Sequence, residues 1–85
     1  MSKHEMMREY LSTHGAFTIK DVLRVTRCNN PYRVIEHLKR AMKKPLLHHD
    51  IKKKNTWFRA YFVSYAAWLD VVIRTNWHVA PRRAR

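Results

Sequence analysis

The stretch whose reading decides the fold is Asn30-Pro31-Tyr32-Arg33-Val34-Ile35-Glu36-His37-Leu38-Lys39-Arg40-Ala41-Met42-Lys43-Lys44-Pro45. Asn30 is a strong N-cap, and Pro31 at the first helical position gives up only an N–H that would have no partner there. Val34, Ile35, Leu38, Ala41 and Met42 recur at i, i+1, i+4, i+7 and i+8, which predicts a helix from about 30 to 44 with one apolar stripe. Pro45 ends it. The stripe covers about 120° of the helix wheel. The opposite face carries Tyr32, Arg33, Glu36, Arg40 and Lys43, with His37 and Lys39 at its borders.

Upstream, Ser2-Lys3-His4-Glu5 has the form of a capping box. Met6, Met7, Tyr10 and Leu11 then give the stripe of a helix over about 3–13, and Gly15 follows where a left-handed residue closes a helix. Ala16-Phe17-Thr18 reads as a short extended piece. Thr18 and Asp21 mark a second N-terminus, and Ile19, Val22, Leu23 and Val25 form the stripe of a helix near 19–25. Residues 26–29 are a turn, in which Asn29 is the residue best suited to a left-handed conformation.

Downstream, 46–52 and 56–63 are rich in aromatic and β-branched residues and predict a β-hairpin. Lys52-Lys53-Lys54-Asn55 forms its tip, with Asn55 tolerating positive φ. Ser64 caps a last helix in which Tyr65, Trp68, Leu69, Val72 and Ile73 fall at helical spacing. Pro81-Arg82-Arg83-Ala84-Arg85 reads as a basic tail.

The composition narrows the chemistry. In 85 residues, 18 Lys and Arg stand against six Asp and Glu, a net charge of +12 with His neutral. A small basic domain ordinarily meets a polyanion. The excess is uneven: +1 over residues 1–26, +8 over 27–59 and +3 over 60–85. Gly15 is the single glycine, which excludes a P-loop and a dinucleotide fingerprint. Cys28 is the single cysteine, which excludes an internal disulfide framework and leaves a small buried residue as its ordinary role. With no signal peptide and no apolar run of spanning length, the expected location is cytoplasmic, with no membrane partner.

With helix, short strand, helix, turn, helix and hairpin in that order, the chain resembles the winged helix-turn-helix DNA-binding superfamily. The residues carrying the resemblance are Phe17 through Val25, Asn30 through Ala41, Leu46-Leu47, and the basic hairpin through Trp57 and Phe58. Small phage, plasmid and fimbrial-operon regulators are similar in size. The chain departs from that pattern twice: Arg27-Cys28-Asn29 stands where members often carry Gly before the recognition helix, and Lys44-Pro45 where Gly often ends it. The resemblance implies an α+β, mostly helical fold: three helices, a two-stranded hairpin wing and a C-terminal helix. It implies a DNA-binding domain over 1–63, a helix over 64–80 for core cover or dimerisation, and the tail at 81–85.

The resemblance implies a transcriptional regulator, and the residues themselves support sequence-specific binding of double-stranded DNA. A helix anchored on one face and lined with long hydrogen-bonding side chains on the other can lie in a major groove. Asn29, Asn30, Tyr32, Arg33, Glu36, His37, Arg40 and Lys43 are the expected contacts, with Arg33 the best placed to read guanine and Arg40 and Lys43 better placed for phosphate. Lys52, Lys53, Lys54 and Asn55 are the expected wing contacts to backbone or minor groove. An ordinary solvated helix face and a solvated loop would carry the same charges; their adjacency favours DNA.

No catalytic residue, metal or cofactor is expected, and the chain does not read as an enzyme. His48 and His49, adjacent on a strand, point to opposite faces and cannot chelate together. No nucleophile signature or paired carboxylate stands out. Phe58 and Phe62 could stack unpaired bases but suit the core better. In the last helix, Trp68, Leu69, Val72 and Ile73 suffice to cover the core, and Ala66, Ala67, Val71 and Trp77 are surplus. A homodimer is therefore expected, with Trp68, Val71, Val72 and Trp77 at its interface. The alternative function is a small basic protein-interaction module that inhibits or modulates a host protein on the same fold.

Overall fold

A computed structural model describes residues 1–79. It is an α+β fold in the order α1 (Lys3–His14), β1 (Phe17–Thr18), α2 (Ile19–Thr26), α3 (Pro31–Ala41), β2 (Leu47–Lys53), β3 (Thr56–Phe62), α4 (Tyr65–Thr75) and β4 (His78–Val79). Helices take about half of the chain rather than most of it. The strands form one antiparallel sheet in the order β1-β3-β2-β4. The expected tail at 81–85 lies outside the described residues.

Local chemistry sets the helix starts. Ser2 accepts from the Glu5 amide while Glu5 reaches back to the Ser2 amide, and Thr18 with Asp21 repeats the device at α2. Asn30 caps α3 ahead of Pro31, and Ser64 caps α4.

The sheet divides two apolar clusters. On one face, α1, α2 and α3 bring Met7, Leu11, Val22, Val34, Ile35 and Leu38 against Phe17 and Tyr61. On the other face, Trp68 and Val71 of α4 close over Ile51, Ala60 and Phe62. Period-two alternation does this sorting: Tyr61 of β3 serves the first cluster, Phe62 the second. His48 and His49 separate the same way, His49 stacking on Phe62 and Trp68 at 5.5 and 5.8 Å while His48 lies beside Tyr61. Cys28 is buried in the first cluster, as its type suggests.

Several expectations are corrected. α3 stops at Ala41, because Met42 turns to extended geometry (φ −88°, ψ 140°) and packs on the first cluster; the chain must leave the helix axis to bring Leu46 and Leu47 to the sheet. Lys43 is therefore off the helix, in the bend before Pro45. The left-handed residue after α2 is Arg27 (φ 53°), not Asn29, because the α2 cap falls where the Arg27 amide reaches the Leu23 carbonyl. In the hairpin, Lys53 pairs with Thr56, so Lys52 and Lys53 belong to the strand and only Lys54-Asn55 form the turn. Positive φ falls on Lys54 (54°) and not on Asn55.

The phase of α4 also differs. Trp68 and Val71 are 3% and 4% exposed, whereas Leu69 and Ile73, expected over the core, are 58% and 77% exposed. Trp68 stacks on Phe62 with ring centroids 4.7 Å apart, and that contact fixes the helix rotation. Trp68 and Val71 thus have no surface left for a second chain. Val72 and Trp77 are half-buried against the second cluster. The outward stripe is Tyr65, Leu69 and Ile73. β4, which pairs Val79 with Ile51 and His78 with Lys52, extends the sheet beyond the expected strands.

Candidate nucleic-acid interface

The expected α3 residues are brought to one surface. Tyr32 is 64% exposed, and Asn29, Asn30, Arg33, Glu36, His37, Lys39 and Arg40 are all exposed. Their opposites Val34, Ile35 and Leu38 are buried, so the helix is held by one face and free along the other. The Asn30 side-chain oxygen accepts from the Arg33 amide at 3.3 Å, which fixes the start of the helix and leaves the Arg33 guanidinium free.

Two ion pairs occur among the described residues: Asp21 with Arg24 at 2.9 Å and Asp50 with Arg59 at 3.3 Å. Among the described residues, Arg33, Lys39, Arg40, Lys43, Lys44, Lys52, Lys53 and Lys54 therefore have no carboxylate partner within bridging distance. Arg24 also donates to the Tyr10 hydroxyl at 3.2 Å, which ties α2 to α1. Burial pushes the Tyr10 phenol above its ordinary value, with Asp21 adding to the shift. These groups belong to the scaffold.

In the hairpin, the Lys52 ammonium lies 5.6 Å from the Trp57 ring centroid. The Thr56 hydroxyl donates to the Lys53 carbonyl at 2.9 Å and steadies the turn, while Lys54 and Asn55 are exposed at its tip. The partial desolvation of His48 holds its imidazole below the ordinary value, and the Arg59 cation adds to the effect. The nearby Asp50 carboxylate opposes that shift, and the Lys39 charge on α3 adds a smaller push in the same direction as Arg59.

Two features were not anticipated from the sequence. Lys3 and His4 at the start of α1 line a cleft with Asn29, Asn30, Arg33 and His37, and the His4 and His37 rings meet edge to face at 6.3 Å. The capping box placed the start of α1, but nothing local says that it abuts α3. Trp57 is 61% exposed beside the lysines. Alternation along β3 held that signal, since Phe58, Ala60 and Phe62 already occupy the face that α4 covers.

Among the described residues, no group of three or more His, Cys, Asp or Glu is placed to hold a metal. No described helix is long and apolar enough to cross a membrane. No protein-family model, curated protein sequence or solved structure matches the chain.

Proposed function

We propose that this chain binds double-stranded DNA as a winged helix-turn-helix transcriptional regulator, with α3 in the major groove and the β2–β3 hairpin as the wing. The observation that carries the reading is the run of exposed cations, unpaired among the described residues, on two consecutive elements, α3 and the hairpin. The element order and the pairing of β1 with β3 support it, since a winged domain is assembled in that way.

In this reading the Arg33 guanidinium donates two hydrogen bonds to guanine O6 and N7. Asn29, Tyr32, Glu36 and His37 flank it along the groove. The side-chain amide of Asn30 remains a donor once its oxygen is committed to the cap. Arg40, Lys43, Lys52, Lys53, Lys54 and Asn55 position the duplex through phosphates.

The protein acts as a homodimer on two half-sites, joined through Tyr65, Leu69 and Ile73 of α4 rather than through Trp68 and Val71. The same outward apolar stripe is what favours the second reading, a small basic module that binds a partner protein.

Selection of genomic fragments by the full chain is the test. It should return a defined site, at which Arg33→Ala relaxes base preference while Lys53→Ala weakens cognate and random duplexes alike. Equal effects of both variants on both duplexes would contradict the assignment. Failure to bind random duplex even at low salt would favour the protein partner.

A further inference from the structure

The cleft between the start of α2 and the outer half of β3 has a composition that core packing does not account for. It encloses about 420 Å³, within the roughly 300–1,000 Å³ of small-molecule sites, and is lined by Thr18, Lys20, Lys53, Trp57, Phe58 and Trp77 among others. Three features of this cleft point to one ligand class.

Its exposed aromatic ring is that of Trp57, which also has the Lys52 ammonium 5.6 Å from its centroid. Trp57 is 61% exposed, and Trp77 backs Phe58 edge to face at 5.3 Å. Its charge is positive: Lys20 and Lys53 are unpaired among the described residues. The Asp21 carboxylate also lines the cleft, but it is committed, accepting from the Thr18 amide at 2.9 Å and from Arg24 at 2.9 Å. Finally, β1 pairs with β3 only at Phe17–Tyr61 and Thr18–Ala60, so among the described residues that edge of β3 has no neighbouring strand from Thr56 to Arg59. Main-chain donors and acceptors on such an edge can meet the polar rim of a planar ring.

We propose that this cleft binds a single nucleotide, its base stacked on Trp57 and its phosphate held by Lys20 and Lys53. A π-face, a hydrogen-bonding rim and an anion on one small molecule match the three features together. The nucleotide can be free or part of an unpaired strand, and the chemistry of the cleft is the same for both. The site goes beyond duplex binding and stands without it.

The full chain is titrated with adenosine monophosphate, adenosine, inorganic phosphate and tetrathymidylate, with no duplex present. Tryptophan fluorescence and the indole N–H resonances report binding. Adenosine monophosphate and tetrathymidylate should quench the emission and shift the Trp57 indole. Trp57→Ala should weaken both by about tenfold or more, whereas Trp57→Phe retains most of the affinity. Lys20→Gln with Lys53→Gln should weaken the monophosphate and leave adenosine unchanged. Tighter binding of tetrathymidylate than of the monophosphate assigns the site to an unpaired strand, and the reverse order to a free nucleotide.

Trp57 is exposed, so its variants should keep the parent melting temperature, and a matching melt confirms the comparison. The proposal is overturned if inorganic phosphate binds as tightly as the monophosphate. Undiminished binding by Trp57→Ala, or no shift of the Trp57 indole at millimolar nucleotide, would overturn it equally.

Discussion

Gly15 closes α1 at φ +86°, and a Cβ there would stand 3.1 Å from Val71 Cγ2 and 3.3 Å from the Ala67 Cβ. Gly15→Ala is therefore expected to cost about 1–2 kcal/mol from the left-handed backbone, with more from the crowding against α4. A thermal melt reads this, and an unchanged Tm would mean that the helix end can relax. Leu38 is fully buried, and Leu38→Ala should cost about 2–5 kcal/mol in urea unfolding. A third expectation concerns pH. Folding lowers the affinity of the His48 imidazole for a proton below its ordinary value of 6.5, so the unfolded chain binds that proton more readily. Stability should be complete above about pH 6.5 and decline as pH falls below it. His48→Gln should flatten that decline in denaturant titrations, and an unaltered pH profile would contradict the assignment. At this scale the sequence was legible where residue type and geometry coincide, as at Gly15. It was not legible at Arg27 and Lys54, which adopt positive φ although Asn29 and Asn55 are better suited. There the register of hydrogen bonds, set by where a helix or a ladder ends, outweighs the preference of the residue.

Capping and stripe periodicity placed α1, α2 and α3 because their decisive contacts are local. Asn30→Ala should cost about 1 kcal/mol by removing the cap on α3. The same reasoning misplaced the phase of α4, which is apolar on more than one side. Spacing allowed Leu69 and Ile73 inward as readily as Val71, and only the stacking of Trp68 on Phe62 across the sheet decides between them. The consequence is a nearly uncharged outward stripe on a basic protein, flanked by Asp70 and by Arg74, whose guanidinium donates to the His14 carbonyl at 3.1 Å. Leu69→Asp should convert a dimer to a monomer in light scattering at tens of micromolar while leaving the circular-dichroism spectrum of the folded chain unchanged. A parent protein that is already monomeric at that concentration would contradict the dimer.

The net charge of +12 says little alone, but the fold gives it a location. Residues 27–59, with +8 of it, become α3 and the hairpin, while α1, α2 and one sheet face supply the core that holds them. Element order and the basic middle third were readable from spacing. The fourth strand, the approach of Lys3 and His4 to α3, and the cleft beside Trp57 were not, because each joins residues far apart in the chain. The central claim is that this surface meets a duplex through its phosphates. The most direct test is the affinity for a random duplex of about 25 base pairs across a salt series. Neutralising Z phosphates gives a slope near −0.9Z on logarithmic axes, so about four to six contacts per protomer in a dimer predict a slope steeper than about −6. A flat salt dependence, or no binding at low salt, would contradict the account.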